Sequence, residues 1–300
     1  MTIRTLAVVG TGLIGTSVAL AASGHRVTVY LSDRDESALH AAAERGAGRP
    51  EPPPHPVDLA VLAVPPSQIA PVLAREQARG LARSYTDVAS VKARPQREIL
   101  ATAPDPSSYV GGHPMAGRER SGPLAARAEL FRDRPWVLTP TRFTTKHAFD
   151  RALGLIALCG GTPRVMRARA HDDAVALTSH APHLLASLMA ARLRDGPVPA
   201  ARLAGQGLRD VTRIARGDSR LWGDIVESNA QAVADVLTRL QEELAGVLAA
   251  LYDLAEPEGG VGGPGPETRG KSRHTLVDLL ERGIAGVGEL SEDRADGTRH

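Results

Sequence analysis

The stretch Thr5-Leu6-Ala7-Val8-Val9-Gly10-Thr11-Gly12-Leu13-Ile14-Gly15 decides the fold. Thr5–Val9 is short, apolar and partly β-branched, which reads as a buried strand. Gly10, Gly12 and Gly15 follow in a Gly-x-Gly-x-x-Gly pattern, and the Ala-rich run 16–23 after them reads as a helix stopped by Gly24. Strand, glycine turn and helix in that order form a dinucleotide-binding fingerprint. The first glycine makes the tight turn, the second lets the backbone approach a pyrophosphate, and the third lets helix and strand pack closely. The backbone of Leu13 and Ile14, at the start of the helix, then faces the phosphates. A second strand is expected at 26–31, and Asp33 stands eighteen residues after Gly15, where a carboxylate accepts from the adenine ribose hydroxyls. That carboxylate repels a 2′-phosphate, so NAD is expected. Arg34 beside it can accommodate the phosphate and keeps NADP open. Val64 and Pro65 end a third strand, 57–64, and either line the same edge or simply terminate the strand.

Further strand-like runs fall at 84–88, 109–111, 136–139 and 164–166, with helices between them. This alternation predicts an α/β doubly wound parallel sheet, Rossmann-type. From residue 167 onward no convincing strand remains, and 170–195, 200–216 and 221–254 read as long helices. In the last, Val233, Val236, Leu237, Leu240, Leu244, Val247, Leu248 and Leu251 recur at spacings of three and four. So broad an apolar face in so small a helical domain is expected to bury itself against a second copy. The expected organisation is a dinucleotide-binding domain over 1–166, an all-α dimerisation and substrate domain over 167–255, and a linker and tail over 256–300. Within that tail, 256–269 is Pro/Gly-rich and 274–282 is expected to form one helix.

Composition removes several function classes. Of 36 basic residues only Lys92, Lys146 and Lys271 are lysines, yet 34 acidic residues leave a net charge of +2. Aromatics are 3%, so neither a polyanion-binding surface nor stacking platforms for nucleic acid are expected. The single Cys159 excludes an internal disulfide and a multi-cysteine metal site, and fits a reducing cytoplasm. The N-terminus runs straight into the glycine motif, so no signal peptide is expected. No run reaches the ~18–20 apolar residues of a membrane span.

Two segments follow strands and so reach the sheet edge where a nicotinamide would lie: Asp87-Val88-Ala89-Ser90-Val91-Lys92, and Gly111-Gly112-His113-Pro114-Met115-Ala116-Gly117. Hydride transfer from a carbinol needs a base near neutral pKa. His113 suits that role, with a pH profile rising near ~6.5. Ser90 can hydrogen-bond the same hydroxyl. Lys92 either serves substrate or cofactor charge or pairs with Asp87, the latter being slightly preferred. His180 and His183 share one helical face, with Pro182 expected to kink the helix. A metal reading of His-x-x-His lacks a cysteine or carboxylate at ligand spacing, and no metal is expected. Arg209, Arg213, Arg216 and Arg220 recur at helical spacing, either as a solvated face paired with Asp210 and Asp218 or as a grip on a substrate carboxylate.

The blocks GGHPMAG (111–117), SHAPH (179–183), RDVTRIA (209–215) and LWGDI (221–225) together resemble the prephenate/arogenate dehydrogenases of tyrosine biosynthesis, over roughly residues 5–254. The resemblance implies oxidative decarboxylation of a small cyclohexadienyl substrate: prephenate, arogenate or, in specialised metabolism, an amino analogue such as 4-amino-4-deoxyprephenate. It implies His113 as the base and Ser90 as the residue that orients the hydroxyl and His113. Arg213 would hold a substrate carboxylate, and His183 would bind the substrate side chain beside His180. Trp222 and Asp210 would support that pocket, from across a homodimer. Gln206, between Gly205 and Gly207, departs from a glycine common in the family. The tail after residue 255 leads to the expectation that the regulatory domain of many relatives is missing. Two rivals stay open. A β-hydroxyacid or imine reductase is disfavoured because no lysine stands in the helical half before Lys271. A non-catalytic nucleotide-binding protein is disfavoured by Ser90, His113 and Arg213 together.

Overall fold

The computed structural model describes residues 2–117, 121–195, 200–257 and 264–296. Seven strands form one sheet: β1 (Thr5–Val9), β2 (Thr28–Ser32), β3 (Leu59–Leu62), β4 (Tyr85–Asp87), β5 (Tyr109–Pro114), β6 (Pro135–Thr139) and β7 (Thr162–Val165). Their order is β2-β1-β3-β4-β5-β6-β7. Helices α1 (Leu13–Ser23), α2 (Glu36–Glu44), α3 (Ile69–Ala78), α4 (Ala93–Thr102) and α5 (Lys146–Leu158) connect them. Side chains alternate across the pleat. Leu6 and Val8 of β1 pack with Val18, Phe131 and Trp136 on one face. Ala7 and Val9 pack with Leu62, Ile69 and Leu73 on the other. A strand buried on both faces reads as a continuous apolar run, which is why β1 and β3 stand out in the sequence.

The sheet is not parallel throughout, as β6 runs antiparallel to β5. Among the described residues only two short 3₁₀ turns, Pro123–Ala125 and Ala128–Phe131, lie between these strands, and without a crossover helix the chain returns in the opposite sense. Helix α5 supplies a crossover after β6, and β7 is accordingly parallel to it.

Beyond β7 the described chain is helical. Helix α6 (Ala168–Val175) continues through a π-helical turn, Ala176–His180, into α7 (Ala181–Asp195). Pro182 cannot donate to the preceding turn, and the expected distortion takes the form of this widened turn rather than a break. By length and mean hydropathy the run Ala168–Arg194 could cross a membrane, contrary to the reading by apolar runs alone, although it carries buried polar residues described below. The stretch expected as one helix over 200–216 is instead a 3₁₀ turn (Ala200–Leu203), α8 (Gln206–Thr212) and a second 3₁₀ turn (Arg213–Arg216). The helix expected over 221–254 is interrupted at Asn229, between α9 (Ser219–Ser228) and α10 (Ala230–Ala255).

The chain divides into two compact units, Met1–Val233 and Ala234–His300. Much of the second is α10 and α11 (Pro266–Asp296), a helix far longer than the expected 274–282. Pro266 opens α11 at a position where its missing N–H costs nothing. The Arg269 guanidinium donates to the carbonyls of Asp253 and Glu256, satisfying the C-terminal end of α10. Part of the expected linker, 258–263, and the last residues, 297–300, lie outside the described residues.

Candidate active site

The glycine loop between β1 and α1 has the geometry its sequence implies. Gly10 has φ +102°, and a Cβ there would collide with the Ala63 carbonyl. A Cβ on Gly15 would strike the Gly10 carbonyl, so the third glycine is what lets α1 sit against the loop. Gly12 faces open space and caps α1 without a side-chain hydrogen bond. The first N–H groups of α1 therefore have no side-chain cap, as an anion-binding helix start requires. The Ile14 side chain packs into the core and Gly15 is buried, so Ile14 offers only its backbone at such a site. Gly10, Gly12, Asp33, Arg34, Val64 and Pro65 all line one cavity of about 570 Å³. The Asp33 carboxylate also accepts from the backbone N–H of Thr11, from its hydroxyl at 2.9 Å, and from Asp35 N at 2.9 Å. It thus braces the glycine loop. Arg75 and Arg79, which carry no motif, line the same cavity and pair with the buried Glu76. The size, the open Gly12 and the helix start fit a dinucleotide.

At the carboxyl ends of β4 and β5 lies a buried polar network. Lys92 and Asp87 are 1% and 0% exposed and pair directly. The Tyr109 hydroxyl donates to the same carboxylate, and Lys92 Nζ donates to the Gly112 carbonyl at 2.6 Å. Lys92 thus takes the pairing role, and its bond to Gly112 anchors the backbone beside His113. Burial lowers the Lys92 pKa against the pull of Asp87, and pushes the Tyr109 phenol well up.

His113, half-buried at the end of β5, hydrogen-bonds through Nδ1 to His171 Nε2 at 2.8 Å. His171 Nδ1 lies 2.7 Å from Asp172 Oδ1. The Asp172 carboxylate also accepts the N–H groups of Lys92 and Ala93, each at 2.8 Å, at the start of α4. Desolvation holds the His113 imidazole well below its usual pKa, with His171, Lys92 and His180 adding to the effect. A neutral imidazole is the form a base requires. The ring is oriented by His171, not by Ser90. Ser90 stands half-buried in the loop after β4, two residues before Lys92, without a hydrogen bond to a described residue.

His180 is buried, and its Nδ1 lies 3.2 Å from Asn229 Nδ2, which also donates to the Asp172 carbonyl at 2.8 Å. Burial lowers the His180 pKa to about 4. His183 stacks on Trp222, with ring centroids 3.5 Å apart and planes 11° apart. Gly217 permits this, because a Cβ there would run into the Trp222 indole. Arg213 is exposed where α8 passes into the following 3₁₀ turn. Asp210 is exposed and accepts from Gln206 at 2.8 Å, which gives Gln206 a local partner. Asp224, on α9, accepts from Ser67 N at 3.1 Å, tying the turn after β3 to the helical region. The sequence reading missed the contributions of His171, Asp172, Asn229 and Asp224. Asp224 stood within the LWGDI block, whereas His171 and Asp172 are adjacent on α6 and carry no local signal of what they pack against.

A cavity at a glycine loop between β1 and α1, and an imidazole held toward its neutral form on β5 of the same sheet, define a Rossmann-type dehydrogenase. Residues 16–165 match the family described as prephenate dehydrogenase, nucleotide-binding domain, and residues 167–257 match prephenate dehydrogenase, dimerization domain. The chain belongs to the prephenate dehydrogenase family, and its first part is a nucleotide-binding domain. It is 43% identical to the probable prephenate dehydrogenase NovF of Streptomyces niveus, over 94% of this chain and 76% of that one. It is 32% identical to the cyclohexadienyl dehydrogenase of Zymomonas mobilis, over 80% and 85% of the two chains. The fold matches the crystal structure of Aquifex aeolicus prephenate dehydrogenase with hydroxyphenyl propionate and NAD+, with a TM-score of 0.77, 23% identity, and 94% and 99% coverage. Synechocystis arogenate dehydrogenase matches with a TM-score of 0.67, 26% identity, and 93% and 99% coverage.

Proposed function

We propose that this chain converts prephenate to 4-hydroxyphenylpyruvate with NAD, the tyrosine-forming oxidative decarboxylation. The observation that carries the reading is His113, held neutral and bonded through Nδ1 alone, at the sheet edge that a nicotinamide reaches. NAD, when bound, accepts the hydride from the ring carbinol carbon. His113 Nε2 takes the hydroxyl proton as the carbonyl forms, and carbon dioxide leaves the opposite ring carbon as the ring becomes aromatic. The proton then returns to the phenolic oxygen, so the conversion releases no net proton. Ser90 accompanies His113 at the hydroxyl, and Arg213 takes a substrate carboxylate. His183 stacked on Trp222, with His180 beside them, forms the wall for the substrate side chain. Asp210 supports the Arg213 region. Asp33 favours NAD over NADP, with Arg34 the residue to change if the preference is to be moved. Catalysis then rests on positioning and charge.

The test is a spectrophotometric assay of prephenate, arogenate and 4-amino-4-deoxyprephenate, each with NAD and NADP. Prephenate with NAD is expected to give NADH and carbon dioxide fastest. His113→Asn is expected to lose most of kcat with NAD affinity intact, and full turnover by that variant overturns the assigned base.

We also infer a homodimer formed through the helical part. The exposed Leu240, Leu244, Leu248 and Leu251 on one stripe of α10, and the matched dimerization domain, support it.

A further inference from the structure

We propose that His171 and Asp172 are positioning residues that lock His113 in the tautomer whose Nε2 carries no proton. The inference rests on the reading of His113 as the base, and it extends that reading to which nitrogen acts and why.

The argument follows the donors inward from the one group that accepts only. As a carboxylate, Asp172 receives two backbone N–H groups, from Lys92 and Ala93, and neither of them can accept in return. His171 Nδ1, at 2.7 Å from the same carboxylate, must therefore carry the proton. A neutral imidazole protonated at Nδ1 presents a lone pair at Nε2. That lone pair lies 2.8 Å from His113 Nδ1, which must then be the donor. His113 in turn is left with its lone pair at Nε2, the atom that takes the hydroxyl proton. With His171 as a neutral imidazole, each step follows from the one before it. His171 and Asp172 are 1% and 2% exposed, so no solvent competes to reverse the assignment.

The groups facing His113 are His171 on α6, His180 in the π-helical turn and Lys92 ahead of α4, with Asp87 and Tyr109 behind the lysine. The chain ends on Asp172 at the capped start of α4 and offers no exit for a proton. The proposed conversion needs none, because the proton taken from the hydroxyl returns to the product oxygen. A closed brace therefore suffices. The same residue orients a second imidazole. Asn229 donates to the Asp172 carbonyl and to His180 Nδ1, which leaves His180 Nε2 as a buried N–H without a partner among the described residues. Asp172 thus sets up an accepting nitrogen on His113 and a donating one on His180.

The test reads the tautomer directly, by two-dimensional nitrogen–proton NMR of histidine-labelled protein without substrate. Wild-type His113 is expected to show a protonated Nδ1 and a bare Nε2. His171→Asn still reaches Asp172 but not His113. It is expected to mix the His113 tautomers and to lower kcat about a hundredfold, with KM for NAD unchanged within about twofold. His171→Gln places an oxygen where Nε2 stood and is expected to recover part of kcat. A wild-type His113 protonated at Nε2 overturns the lock, whether or not any variant folds. So does a fall in kcat for His171→Asn with the tautomer unchanged, or wild-type kcat in that variant. A protonated Nδ1 in a protein that does not oxidise prephenate leaves the lock standing and removes the proposed substrate.

Discussion

His113 and His180 both titrate below the ordinary imidazole value, because burial penalises their charged forms. The sequence alone suggests an activity rising near ~6.5. With His113 held well below that value, kcat/KM is expected to stay level as pH falls through ~6.5 and to decline only beneath it, in a pH series with prephenate and NAD. Stability follows the same sign. The unfolded imidazoles bind protons near ~6.5, whereas folded His180 binds one only at about 4. Between these values the unfolded chain holds more protons, so stability is full above ~6.5 and drains as pH falls toward the folded value. Urea midpoints across that range test this, and His180→Gln is expected to flatten the slope. At this scale the placement of His113 and Ser90 after neighbouring strands was legible, because their motifs are local. The orienting partner was not, since His171 is 58 residues from His113 and meets it only when α6 packs beside the loop after β4.

Among elements, the strands were read more surely than the helices. Each of the seven strands is a short run that stands out between helix and turn signals, including β7, whose residues are exposed. The apolar periodicity of α9 and α10 continues across Asn229 and hides the interruption there. What breaks the helix is tertiary. The Asn229 amide is committed to the Asp172 carbonyl and His180, a demand no local propensity reports. Asn229→Ala is expected to cost about 1–3 kcal/mol by leaving buried acceptors unpaired, measured by urea denaturation. A loss under about 0.5 kcal/mol would mean the interruption is set elsewhere. The tail failed in the opposite direction. Its glycines and prolines read as a linker, yet Pro266 stands at the first helical position and α11 tolerates Gly283, Gly286 and Gly288 in its course.

For the whole molecule, the change from strands to helices near residue 167 was legible, although the two compact units divide at Val233. The reversal of β6 was not legible, because strand direction depends on what connects strands rather than on their composition. A stripe of exposed leucines on α10 predicts association. Light scattering at micromolar protein is expected to give a dimer, and a Leu244→Glu, Leu248→Glu double variant is expected to give a monomer. A monomeric wild type at that concentration contradicts the assignment. The scarcity of lysine has a further consequence. Lys146 and Lys271 are 85% and 76% exposed, while Lys92 lies sealed between Asp87 and the Gly112 carbonyl. An amine-directed reagent will therefore modify the first two at once and reach Lys92 only when the edge of the sheet opens. Its labelling rate becomes a chemical clock for the segment that carries His113, readable by mass spectrometry without substrate, cofactor or any substitution.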